Sequence, residues 1–257
     1  MAKQWSRFPH ADKAFAYDGA ALKKHWPRLH RGDAEPYPHD ASAQEAWRLY
    51  HAGEFQRAVE TGRTAGGAAL NAAIKAQAIY ANYLEKDKAR LALFEQAADW
   101  ADARRDEAPK DANAHYLYAY ALGRYGQGIS VAKALAQGYG GKIKDALVSA
   151  MRLSPAHADA HTAFGAYQAE VIAKVGALVA GMTYGAKKDS ALEHFQNALK
   201  LNPDSAIARI EYANGVILLF GNERLAEATK LYEQAAACKP ADAMERLDVE
   251  LARSELE

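Results

Sequence analysis

One unit is written twice in tandem between Asp111 and Pro203, and this duplication restricts the fold more than any other feature of the chain. The first copy opens Asp111-Ala112-Asn113-Ala114-His115 and the second His157-Ala158-Asp159-Ala160-His161. Each continues through an Ala-Lys pair, an Ala-Leu pair and a glycine expected to end the long helix (Gly138, Gly181) to Tyr139-Gly140-Gly141-Lys142 or Tyr184-Gly185-Ala186-Lys187. Each closes on Ala-x-x-Leu-x-Pro, at Ala150, Leu153 and Pro155 and again at Ala198, Leu201 and Pro203. His115 recurs as His161, Tyr139 as Tyr184 and Pro155 as Pro203, a spacing of 45–48 residues. A period of tens of residues marks units that cannot bury their apolar faces alone and must stack on their neighbours.

The flanking sequence extends this pattern as helix after helix. Trp47, Leu49 and Tyr50 share one helical segment, Gly53-Glu54 turns, and Ala58 lies on the next. A second pair is expected over about 69–84 and 88–107, ended by Pro109, and the duplicated units supply the third and fourth. A fifth pair spans 206–239 before Pro240. Residues 241–257 form an amphipathic helix with Met244, Leu247 and Leu251 on one side and charges on the other, expected to cap the array. Residues 1–38 are different in kind, with four of the eight prolines and six aromatics. Asp12 is expected to start a helix that Pro27 stops. The segment then either covers the apolar end of the array or lies as a strap in its groove.

The residues at the helix contacts carry a resemblance. Ala191, Phe195, Ala198 and Pro203 share their spacing with Ala228, Tyr232, Ala235 and Pro240, and with Ile143, Leu147, Ala150 and Pro155. Phe164-Gly165, Tyr118-Ala119 and Tyr212-Ala213 supply the large-small pair where two helices touch. Over about 40–240 this resembles the tetratricopeptide (TPR) repeat. The resemblance implies an all-α, TPR-like α-solenoid of about five helical hairpins with a C-terminal capping helix. Inserts near 126–142 and 171–190 lengthen the third and fourth repeats. In this the chain is similar to bacterial TPR proteins akin to the regulator-of-microtubule-dynamics family. More distantly it resembles the TPR component of TRAP transporters, an exported lipoprotein whose signal and lipid-accepting cysteine have no counterpart here.

No motif for chemistry survives its spacing test. Gly126-Gln127-Gly128 lacks a third glycine, and Gly138 to Lys142 is too short for a phosphate loop. His157 and His161 share a helical face but have no evident third metal ligand. Neither a catalytic residue, a metal nor a cofactor is expected. With 32 basic and 32 acidic residues, no general attraction to nucleic acid or membrane is expected. Cys238, the single cysteine, excludes an intrachain disulfide. No stretch reads as a signal peptide or a membrane span, so a cytoplasmic protein is expected.

Two sites remain as candidates. Helix counting places Asn113, Tyr116, Tyr120 and Arg124, then Ile210, Asn214 and Ile217, on the concave face, a composition suited to an extended peptide. The inserts bring Tyr139, Lys142, Tyr184 and Lys187 together as possible walls of a pocket for a small anionic ligand or acidic peptide. The apolar run over 171–182 serves that pocket, an extra core layer, or an exposed strip for self-association. The expected function is a non-catalytic scaffold for a protein or peptide partner, with a small-ligand-binding protein or a homo-oligomer as alternatives.

Overall fold

The structure, a computed structural model, describes residues 4–257 without the Asp87 side chain. Its described residues form helices and turns without strands. After α1 (Ala20–Leu29), the hairpins are α2 (Ala41–His51) with α3 (Phe55–Ala65), and α4 (Ala69–Tyr83) with α5 (Asp87–Glu107). In the third, α6 (Ala112–Ile129) reaches α8 (Tyr139–Leu153) through the short α7 (Val131–Ala136). In the fourth, α9 (Ala158–Val175) reaches α11 (Lys188–Leu201) through one turn, α10 (Ala177–Val179), and a π-helical turn over 180–184. The fifth pairs α12 (Ala206–Phe220) with α13 (Leu225–Ala236), and α14 (Ala243–Ser254) follows. The all-α TPR-like solenoid implied by the sequence is the fold.

Local chemistry starts the helices that line the inner face. Asp40 accepts from the Ala43 amide at 2.8 Å, Asp111 from Asn113 at 3.0 Å, His157 from Ala160 at 3.1 Å and Ser205 from Ala208 at 3.1 Å. Each side chain satisfies an amide that the first turn leaves without a partner. Packing then follows the large-small pairs. Phe195 is fully buried between two glycines; a Cβ on Gly165 would lie 2.9 Å from its ring, and one on Gly215 2.5 Å. Glycine is needed at both positions so that α9 and α12 can approach the same ring from opposite sides.

Three expectations about the ends of elements change. Asp12 caps only a short 3-10 turn (Lys13–Phe15), and α1 begins at Ala20 and continues past Pro27 to Leu29, because burial of Trp26 and Leu29 outweighs the lost backbone bond. The long inner helices stop at Ser130 and Gly176, both at positive φ, rather than at Gly138 and Gly181. On α14 the charges do not all face water: Asp248 is 2% exposed and accepts from the Tyr83 hydroxyl.

That helix closes the array. Ala243 and Leu247 join the core of the first two repeats with Trp47, Tyr50 and Tyr80, while Val249 and Ala252 join the core of the fifth. The Tyr50 hydroxyl meets Met244 Sδ at 2.8 Å. The first and last repeats therefore share one helix across the concave side.

Candidate functional site

Residues 28–35 cross the N-terminal ends of α12, α9, α6 and α4. Arg31 pairs with Asp204 at 2.6 Å, and the Gly32 carbonyl accepts from the Asp159 amide at 2.9 Å. Lys75 donates to Asp33 at 2.6 Å and lies 4.0 Å from Asp159. Glu35 accepts from Asn113 at 2.7 Å and from Asn71 at 3.2 Å. Burial opposes ionisation of Asp33, but Lys75 and His30 outweigh it and hold the carboxyl well below the usual range. Glu35 is pushed well above that range, first by burial and then by Asp33 and Asp111.

A buried chain of imidazoles fastens this segment to α14. His30 Nδ1 contacts Asp33 at 2.9 Å, its Nε2 lies 3.2 Å from His51 Nε2, and His51 Nδ1 is 2.7 Å from Asp242. Burial lowers His30 to about 4, so its ring is neutral and its Nδ1–H donates to Asp33. Its Nε2 must then accept.

A cleft remains between this closed rim and the inner helices. It comprises a cavity of about 130 Å³ and an adjoining hollow of about 280 Å³ that share Arg124, Gln127, Glu170 and Glu211. Tyr116, Tyr120 and Arg124 of α6 line the cavity. Ala163, Ala166, Tyr167 and Glu170 contribute one face of α9. Tyr83 and Asp248 stand at its α4 and α14 sides, Val131 and Leu135 come from the first insert, and Ile143 from α8. Arg124 donates to Glu211 at 2.6 Å and lies 5.4 Å from the Tyr120 ring centre. Burial raises the Glu170 carboxyl, raises Asp248 well above its ordinary value, and raises Asp159 to about 6 although Lys75 opposes it.

The structure thus gathers Tyr116, Tyr120 and Arg124 at the cleft, and Asn214 lines the adjoining hollow while accepting from the Tyr232 hydroxyl. Asn113 does not reach it. Its amide donates to Glu35 and to the Asp33 carbonyl at 3.0 Å, and its oxygen faces His157 at 3.0 Å. On α12 the lining residues are Ile207, Glu211, Asn214, Gly215, Ile217 and Leu218, so Ile217 reaches the hollow with Asn214 while Ile210 turns into the core. Glu170 was accessible to the same helix counting, since 163, 166, 167 and 170 share one face of α9. Asp248 gave no such signal, because it reaches the cleft only through closure by α14.

None of the four insert residues, Tyr139, Lys142, Tyr184 and Lys187, lines the cleft. A Cβ on Gly140 would lie 2.9 Å from the Tyr184 ring, so that ring fills the space beside the first insert instead of walling it. Tyr139 packs 6.3 Å from Tyr125; Lys142, 5.9 Å from the Tyr139 ring, and Lys187 are exposed. The apolar run divides: Val171 and Ile172 are buried, whereas Leu178 and Met182 are 76% and 81% exposed. His157 and His161 take separate partners, Asn113 for one and His194 for the other.

The family model described as regulator of microtubule dynamics protein 1-3 matches residues 56–255. No curated protein matches the chain by sequence. Among solved structures, TTC0263, a thermophilic TPR protein of Thermus thermophilus, is similar with a TM-score of 0.56 at 19% identity, over 83% of this chain and 97% of that one. A human IFIT1 dimer with PPP-AAAA gives a TM-score of 0.44 at 16% identity over 86% of this chain, which spans 56% of the IFIT1 chain. With TTC0263 the likeness is one of fold, and the family match covers most of the repeat array and α14. The chain belongs to the family of regulator of microtubule dynamics proteins 1-3.

Proposed function

We propose that the protein is a non-catalytic, cytoplasmic TPR scaffold that receives an extended segment of a protein partner in the cleft between α6, α9, α12 and α14. The observation that supports this is the cleft itself, which stays open between α14 and the inner helices beside residues 28–35. Tyr116 and Tyr120 offer rigid aromatic area there, and Arg124, Gln127 and Asn214 offer polar groups that suit a peptide backbone. A photo-crosslinking phenylalanine analogue at Asn214, with one at the exposed Val148 of α8 as control, tests the reading in cells. One protein segment crosslinked from 214 and not from 148 is the expected result. Adducts to small molecules alone, or equal capture from both positions, would reject it.

Self-association is a second reading, favoured by the exposure of Leu178 and Met182 at the tip of the second insert. Light scattering of wild type against Leu178→Ser with Met182→Ser decides it. A monomeric wild type removes this reading.

A further inference from the structure

The charges that line the cleft do not balance. Asp159, Glu170, Glu211 and Asp248 face two bases, Lys75 and Arg124. Arg124 is held by Glu211, and Lys75 by Asp33 at 2.6 Å with Asp159 beyond it at 4.0 Å. Among the described residues, Glu170 and Asp248 have only neutral hydrogen-bond donors, the Gln127 amide and the Tyr83 hydroxyl. Carboxylates withdrawn from water with no cation are costly to ionise, and a positive charge brought to them recovers that cost. A second observation lies on the same face of α9 as Glu170. Tyr167 lines the cavity, is 8% exposed, and its buried hydroxyl has no partner. A buried hydroxyl without an acceptor is rare in a completed site.

Building on the segment-binding reading above, we propose that the cleft selects a bound segment carrying a cationic side chain, a lysine or arginine received between the tyrosines of the wall and the carboxylates of Glu170 and Asp248. A backbone carbonyl of the same segment gives Tyr167 its missing acceptor. The tyrosine faces suit this occupant, because an ammonium or guanidinium is attracted to an aromatic ring as well as to a carboxylate. An acidic segment does not fit this cleft, since Lys142 and Lys187 lie outside its lining while four carboxylates lie within it.

Fluorescence anisotropy with pools of short fluorescein-labelled apolar peptides, whose fixed positions are lysine, arginine, norleucine or glutamate, tests the proposal. Lysine and arginine pools should bind about tenfold more tightly than norleucine or glutamate pools, the effect of one close charge pair. Glu170→Gln and Asp248→Asn should each remove most of that preference, with the helical melting transition confirming that each variant folds. The preference should shrink at high ionic strength. Equal binding of all pools, or a preference for glutamate, overturns the cationic assignment and leaves the segment-binding reading standing. Spermidine binding that Glu170→Gln abolishes, with no peptide pool bound, keeps the cation site and overturns the segment. Binding of neither peptides nor spermidine overturns both.

Discussion

Lys75 shows how far a single residue can be committed by its surroundings. It is 6% exposed and is the cation that neutralises Asp33 and part of Asp159, so removing it leaves two carboxylates without a cationic partner, Asp33 keeping only its hydrogen bonds from His30 and the Glu35 amide. Lys75→Met should cost about 3–5 kcal/mol in urea denaturation. Adding Asp33→Asn should recover part of the loss, because it removes one orphaned charge; a double variant as unstable as the sum of the singles would deny the coupling. The histidines make a prediction about pH. Burial lowers His30 and His157 from 6.5 to about 4, so the unfolded chain takes up protons before the fold does. Their stabilising contribution is complete above pH 6.5 and is lost as the pH falls to 4, on the order of 3 kcal/mol for each. Asp159 works in the opposite sense: raised from 3.8 to about 6, its burial weakens the fold above pH 6, and that penalty is relieved as the pH falls to 3.8. Imidazole titration by NMR should place the His157 midpoint near 4, and a midpoint near 6.5 would contradict its role as a buried, neutral helix cap.

At the scale of elements, the inner helices are tied to one another by few, large side chains. Phe195 from α11 occupies the gap that Gly165 of α9 and Gly215 of α12 leave open. Phe195→Ala should therefore cost about 3–5 kcal/mol, since two helices held apart at a fixed crossing cannot both collapse into the void. A loss below about 1 kcal/mol in chemical denaturation would show that they can. The inserts follow the same logic. Tyr184 against Gly140 joins the fourth repeat to the third, which makes the inserts an extra packed layer with an exposed apolar tip.

For the whole molecule, closure by α14 changes what a repeat array usually does. In an open solenoid each repeat contacts only its neighbours, so the ends can fray independently. Here Leu247 packs with Tyr50 and Tyr80 while Val249 packs in the fifth repeat. Leu247→Ala should accelerate hydrogen exchange in α2 together with α14, besides costing about 2–5 kcal/mol. Faster exchange confined to α14 would show that the first repeat does not depend on it.

The sequence by itself determined the helices, their pairing and the stacking of the pairs, because period, caps and small residues at the crossings are local properties that repeat along the chain. It also determined most of the inner face of α6, since Tyr116, Tyr120 and Arg124 follow from helical spacing alone. Only the tertiary structure decided which of those side chains stay available. Asn113 sits on the same face, but the segment 28–35 brings Glu35 to it, a contact between residues 78 apart in the chain. Asp248 reads as a solvent-facing charge on an amphipathic helix until α14 folds back against Tyr83. The acidic character of the cleft arises in the same way. Its carboxylates lie on α9, α12 and α14 and its two bases on α4 and α6, and the balance of charge at a site is a property of distances, which helical spacing fixes within an element but not between elements.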